Sequence, residues 1–139
     1  MKNNFINEIS LRGFFHQCTD KDKLTNLINK KKIKAYIGFD CTAPSLHVGS
    51  LLQIMCLRLL QKNGHRPIIL LGGGTTLIGD PSGKDTTRKV LDEKSINNNI
   101  KKIKKIFEKL LDFKNKKNAP IFVNNAEWLN KLKYIEFLR

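Results

Sequence analysis

Apolar positions recur at helical spacing in two opening segments, residues 4–14 and 20–31. In the second, Leu24, Leu27 and Ile28 share one face, and Thr19 or Asp20 stands at the N-cap. Residues 33–40 then switch to a period of two. Ile33, Ala35, Ile37 and Phe39 fall on one side of a predicted strand, and Tyr36, Gly38 and Asp40 on the other. After a short loop, residues 41–46, a helix of about sixteen residues is predicted. Leu51, Leu52, Ile54, Met55, Leu57, Leu59 and Leu60 cover most of its circumference, so it should be largely buried. Gly64 suits its C-terminal stop, and the compact apolar run Pro67-Ile68-Ile69-Leu70-Leu71 suits an inner parallel strand. Strand, helix and strand in this order form a βαβ unit, whose crossover is right-handed in nearly every known case.

Gly72-Gly73-Gly74 breaks the second strand, and Gly79-Asp80-Pro81-Ser82-Gly83 adds a second cluster of turn residues, which together predict a functional loop. Ser95 is the expected N-cap of a long helix. Its apolar face is Ile96, Ile100, Ile103, Phe107, Leu110 and Leu111, and Lys101, Lys102, Lys104 and Lys105 lie between as a solvated face. Ile121-Phe122-Val123 predicts a third strand, followed by a short helix around Trp128 and the start of another at residues 134–138. The fold class expected is α/β: a Rossmann-like parallel sheet with helices on both faces, preceded by short N-terminal helices.

At 139 residues and 40% hydrophobic, the chain is long enough for one domain with a core. No apolar run approaches the ~18 residues of a membrane helix, and the N-terminus has neither a secretory h-region nor transit-peptide character. The expected location is cytoplasmic, with no membrane partner. Cys18, Cys41 and Cys56 stand too far apart for a zinc site or a disulfide framework. The net charge of +14 and pI near 9.9 would suit an RNA, nucleotide or acidic-membrane partner. Most of the excess is Lys amid many Asn and Ile, however, a bias that genome composition alone can produce.

Ligands of open α/β sheets bind beyond the carboxyl ends of the strands, where two unusual loops here follow two successive predicted strands. The first runs from Asp40 through Thr42 and His47 to Gly49 and Ser50, at the start of the apolar helix. Free N–H groups and the positive helix end attract phosphate there, and Gly49 lets a nucleotide approach the backbone. Common phosphate motifs fail. A Walker A loop would need Gly where Ile78 stands and Ser or Thr where Asp85 stands, and a dinucleotide fingerprint would need a third Gly at Leu77.

Five separated segments stand out: Tyr36-Ile37-Gly38-Phe39-Asp40, then Thr42-Ala43-Pro44-Ser45-Leu46-His47-Val48-Gly49, then Gly64-His65-Arg66-Pro67, then Gly72-Gly73, and finally Ile78-Gly79-Asp80-Pro81-Ser82-Gly83-Lys84. In order and spacing they resemble tyrosyl-tRNA synthetases of the bacterial and organellar type. The resemblance implies a class I aminoacyl-tRNA synthetase that activates L-tyrosine with ATP and transfers it to tRNA(Tyr). It implies that Thr42 and His47 hold the ATP phosphates, with Gly38, Asp40, Gly49 and Ser50 along the nucleotide. Ser50 replaces the second His of the family signature, and its hydroxyl can still meet the ribose. Cys41 replaces a common Pro. By the same resemblance Tyr36 meets the substrate phenol, Asp80 meets its ammonium, and Lys84 and Arg88 receive the departing pyrophosphate. Magnesium is expected with the phosphates and a homodimer for the parent enzyme.

Residues 1–139 would then be the N-terminal portion of the catalytic nucleotide-binding domain. The anticodon-binding domain would be absent, and the fragment would be inactive alone. The competing readings are another enzyme of the same superfamily, such as tryptophanyl-tRNA synthetase, and a non-catalytic basic RNA-binding module. Tyr36 and the turn around Asp80 weigh against the first. Against the second, the aromatics fall mostly at core positions rather than among the basic ones.

Overall fold

The structure is a computed structural model that describes residues 5–79, 91–137 and 139. Its frame is a three-stranded, wholly parallel sheet in the order β1-β2-β3, formed by β1 (Lys34–Asp40), β2 (Arg66–Gly72) and β3 (Ile121–Asn124). Helices α1 (Phe5–Leu11) and α2 (Lys21–Lys30) precede β1, α3 (Val48–Lys62) joins β1 to β2, and α5 (Glu93–Leu110) lies between β2 and β3. Three short helices complete the described chain: α4 (Gly73–Ile78), α6 (Ala126–Leu129) and α7 (Tyr134–Phe137). The expected α/β, Rossmann-like arrangement of parallel strands is therefore what these residues form.

β2 is the middle strand, and its burial alternates. Pro67, Ile69 and Leu71 are buried, whereas Arg66, Ile68 and Leu70 are half-buried. The parallel register sets Ile37 beside Ile69 and Phe39 beside Leu71. That face packs against Ile54 and Leu57 of α3 and Ile96, Ile100, Ile103 and Phe107 of α5, making one core. Phe107 meets Phe39 and Phe122 edge-on at centroid distances of 4.8 and 6.1 Å, a favoured aromatic geometry. A second cluster joins Phe5, Ile6 and Ile9 of α1 and Ile28 of α2 to Leu59 and Leu60 of α3. The opposite strand face, with Tyr36, Gly38 and Asp40, is exposed along β1, as the alternation predicted.

Several boundaries differ from the sequence reading, each for a local reason. The first helix stops at Leu11, because the chain turns at Gly13 with φ +72, a left-handed conformation that glycine adopts without a Cβ penalty. Asp20 rather than Thr19 caps α2, its side chain accepting from Lys23 N at 2.9 Å, and Leu27 lies outside the buried face. The long helix begins at Glu93, not after Ser95. Asp92 Oδ1 accepts from Ser95 N at 2.7 Å, and a carboxylate at this end also complements the helix dipole. α3 is less buried than its composition implied: Val48, Leu51 and Leu52 are exposed, because the core and the α1–α2 cluster meet only its other side. The triple glycine ends β2 as expected but opens a helix rather than a loop. Of the α5 lysines, Lys101, Lys102 and Lys105 are solvated, while Lys104 Nζ lies over the Phe122 ring at 5.1 Å.

Polar side chains close the end of the sheet where the strands begin. Gln61 at the end of α3 donates to Asp112 O at 2.6 Å and accepts from Asp112 N at 3.0 Å, and Asn118 Nδ2 donates to Gln61 O at 2.7 Å. Fully buried His65 accepts from Ile33 N through Nδ1 at 3.2 Å and meets Phe5 edge-on. Burial, and secondarily the positive charge of Lys32, hold its imidazole below the usual histidine range. His65 therefore stays neutral in the folded chain at pH values where the unfolded chain, with a pKa of about 6.5, takes up a proton. Stability from this site is present above the ordinary histidine pKa and is lost as pH falls through the lowered native value. Urea unfolding of the 139-residue chain should show a midpoint that drops between about pH 7 and 5 more steeply than in His65→Gln, whose amide can still accept from Ile33. Parallel pH dependences in the two proteins would show that His65 is not the titrating group.

Candidate active site

Parallel pairing brings the carboxyl ends of all three strands to one edge, with Asp40 opposite Gly72 and Leu71 opposite Asn124 in register. The segment leaving β1 passes through exposed Thr42 and reaches exposed His47, the N-cap of α3. His47 Nδ1 accepts from Gly49 N at 3.0 Å, so in the neutral ring the other nitrogen, Nε2, carries the proton and is available as a donor. The ring folds so closely over Gly49 that an added Cβ there would lie 2.7 Å from His47 Cε1. Gly49 is needed for this packing, as well as for backbone access from outside. Ser50 differs from its neighbours: it is buried in the first turn of α3, its N–H donating to His47 O at 3.0 Å. No acidic residue occupies that turn, so the positive helix end is unopposed by its own sequence.

Gly38 has open space where a side chain would stand, between Tyr36 and Asp40 on the exposed face of β1. The Tyr36 side chain is free of the core, with 67% of the residue exposed. A Cβ on Gly72 would lie 3.8 Å from Asp40 Oδ1, which puts the start of α4 against the Asp40 carboxylate. Tyr36, Gly38, Asp40, Thr42, His47 and Gly49 thus follow one another along a single strand end and helix start. Asp80, Lys84 and Arg88 lie outside the described residues, as does most of the turn containing them.

Sequence reasoning missed the polar residues that hold this edge together. Asn124 Oδ1 accepts from Gly73 N at 3.2 Å and Asn125 Oδ1 from Gly74 N at 2.8 Å, so two asparagines at the end of β3 satisfy the first N–H groups of α4. Asn125 Nδ2 also donates to Thr75 Oγ1 at 3.1 Å. The approach is close enough that a Cβ on Gly73 would come within 2.5 Å of Asn124 Oδ1, which explains the glycine better than chain flexibility does. The paired Asn at a strand end was the available signal.

Cys41, between Asp40 and Thr42, is completely buried, and burial pushes its thiol up to about 11. It is a protonated packing group, not a nucleophile. Among the described residues no group of three or more His, Cys, Asp or Glu side chains is arranged to hold a metal ion, and no helix is long and apolar enough to cross a membrane.

Residues 28–139 match the model of the family described as tRNA synthetases class I (W and Y). The chain belongs to this family. Among class I synthetases of the W and Y type, it is 64% identical over 137 residues to the tyrosine–tRNA ligase of Pelagibacter ubique, covering 99% of this chain and 34% of that protein. To the tyrosine–tRNA ligase of Wolbachia pipientis it is 59% identical over 139 residues, with 99% and 33% covered. The chain therefore spans about a third of the length of these relatives. The fold is similar to that of a C-terminally truncated mitochondrial tyrosyl-tRNA synthetase from Aspergillus nidulans, with TM-score 0.81 and 28% identity, covering 97% of this chain and 41% of that one.

The synthetase segment makes a direct prediction about its thiols. Iodoacetamide at about pH 8 should modify exposed Cys18 promptly and leave Cys41 unmodified until the protein is denatured, with mass-spectrometric peptide mapping as the readout. Modification of Cys41 at the rate of Cys18 under native conditions would contradict the buried placement of Cys41 at the end of β1.

Proposed function

We propose that residues 1–139 are the N-terminal portion of the catalytic domain of a tyrosine–tRNA ligase, which joins L-tyrosine to ATP as tyrosyl-adenylate and transfers the tyrosyl group to tRNA(Tyr). The observation that carries this reading is the run of Tyr36, Gly38 and Asp40 on one open strand face, continuing into His47 and Gly49 at the start of α3. The names of the relatives support tyrosine over tryptophan as the substrate. The activity is assigned to the polypeptide that carries this segment at the length of its relatives. The 139 residues alone are expected to be inactive.

In this reading a tyrosine carboxylate oxygen attacks the α-phosphorus of ATP, a new P–O bond forms, and the bond to pyrophosphate breaks. No side chain acts as a nucleophile. Thr42 and His47 Nε2 donate to phosphate oxygens as negative charge shifts toward the leaving group, and the N-terminal end of α3 adds its partial positive charge. The open space over Gly38 leaves room for the adenylate beside Asp40. The Ser50 hydroxyl would need a small adjustment of the first turn to reach the ribose, since the residue is buried. Asp80 would pair with the tyrosine ammonium, and Lys84 and Arg88 would receive pyrophosphate. Magnesium would arrive on the ATP phosphates. A cytoplasmic homodimer that takes tRNA as its macromolecular substrate completes the proposal.

The test is tyrosine-dependent exchange of labelled pyrophosphate into ATP by the full-length protein. Exchange should require tyrosine and not respond to tryptophan; the reverse dependence would move the chain to the other branch of its family. Tyr36→Phe should reduce discrimination of tyrosine against phenylalanine by about 1–3 kcal/mol, because a buried phenol hydroxyl would lose its partner. Unchanged discrimination would remove Tyr36 from the substrate pocket.

A further inference from the structure

We infer that Asn99 of α5 is a positioning residue for this site, acting through the backbone of Cys41; the inference rests on the ATP-dependent reading above. Cys41 is the link between two exposed candidate residues, Asp40 and Thr42, and is itself completely buried. Its carbonyl accepts from Asn99 Nδ2 at 2.9 Å, and its N–H donates to Thr76 Oγ1 of α4 at 3.2 Å. Both backbone polar groups of one residue are thus gripped by side chains from two different helices. Asn99 is 8% exposed and Thr76 6% exposed, so neither bond competes with bulk water.

Packing alone does not account for an amide at position 99. Its helix neighbours on the buried face are Ile96, Ile100 and Ile103, Asn is a poor residue for a helix interior, and an aliphatic side chain would extend the same core. The carbonyl of Cys41 does account for it, since a buried carbonyl needs a donor and the Asn99 amide supplies one. A residue held at both its N–H and its C=O has little freedom to rotate either adjoining peptide plane. The directions in which the Asp40 and Thr42 side chains leave the backbone are thereby set from beneath. Asn99 never meets the substrate; it determines where groups that do meet it stand. Because Thr42 faces the nucleotide and Tyr36 lies six residues upstream of it within the paired strand, loosening the clamp should affect ATP and spare tyrosine.

The experiment measures pyrophosphate exchange in the full-length protein, with rates normalised to active sites by adenylate burst titration. Asn99→Leu removes the donor and should lower kcat/KM for ATP on the order of 10- to 100-fold, as expected when a reacting group is misplaced by a fraction of an ångström to an ångström. The KM for tyrosine should stay within about twofold. Thr76→Val should reproduce the ATP-side loss, and Thr76→Ser, which keeps the hydroxyl, should restore it. Should Asn99→Leu fail to fold, the Thr76 pair carries the same reading. A merely structural role would reduce the burst amplitude and leave both KM values and the normalised kcat unchanged, and that result would overturn the inference. Equal behaviour of Thr76→Val and Thr76→Ser would overturn it too. Absence of tyrosine-dependent exchange in the unsubstituted full-length protein would instead remove the functional reading, and this inference with it.

Discussion

Everything at the candidate site depends on the pairing of β2 between two parallel neighbours. Because all three strands run the same way, the segments that follow them must emerge at one edge: the residues after Asp40, the turn into α4 after Gly72, and the asparagines that end β3. The pairing is secured from one face by completely buried Ile69 and Leu71 of β2, which pack in one core with the apolar faces of α3 and α5. With the core below the sheet and the chemistry at its rim, residues lining the rim can be polar without weakening the centre.

The buried polar residues sort by the pole of the sheet they serve. Thr76, Asn99 and Asn125 work at the carboxyl edge, where each satisfies a backbone group of a turn that no ladder pairs. Gln61, His65 and Asn118 do the same at the opposite edge, tying the end of α3 to the loop before β3 and to the entry of β1. Leaving one such buried group without its partner costs about 1–3 kcal/mol, comparable to losing a core methylene or two. The two edges have different roles. One edge fixes the entry points of the strands, and the other shapes a surface that is open to ligand.

Much of this was legible in the sequence because periodicity reports burial directly. Phe39 inward and Tyr36 outward follow from alternation alone, and the α5 face from Ile96 to Phe107 follows from helical spacing. The same logic overstated the burial of α3, since a helix with leucines all round does not disclose which of them meet a partner: Leu57 does and Leu52 does not. The α5 cap was misplaced by three residues because Asp92 and Ser95 are both good capping types, and only the backbone geometry distinguishes the cap from the third residue of the turn. Residues supporting the site were invisible for a different reason. Asn99, Thr76, Asn124 and Asn125 act on backbone atoms more than thirty residues away, and no local pattern encodes such a partnership. Motif resemblance located the groups proposed to touch ligand, and the structure added those that hold them.

A crystal structure of the full-length protein with tyrosine and a non-hydrolysable ATP analogue would examine the proposed arrangement most directly. It should place the substrate phenol within hydrogen-bond reach of the Tyr36 hydroxyl, the base and ribose over Gly38 and Asp40, and phosphate oxygens against Thr42 and His47 Nε2 at the start of α3. A nucleotide bound elsewhere, for example along the lysine face of α5, with the β1 face and the His47 turn unoccupied, would contradict it.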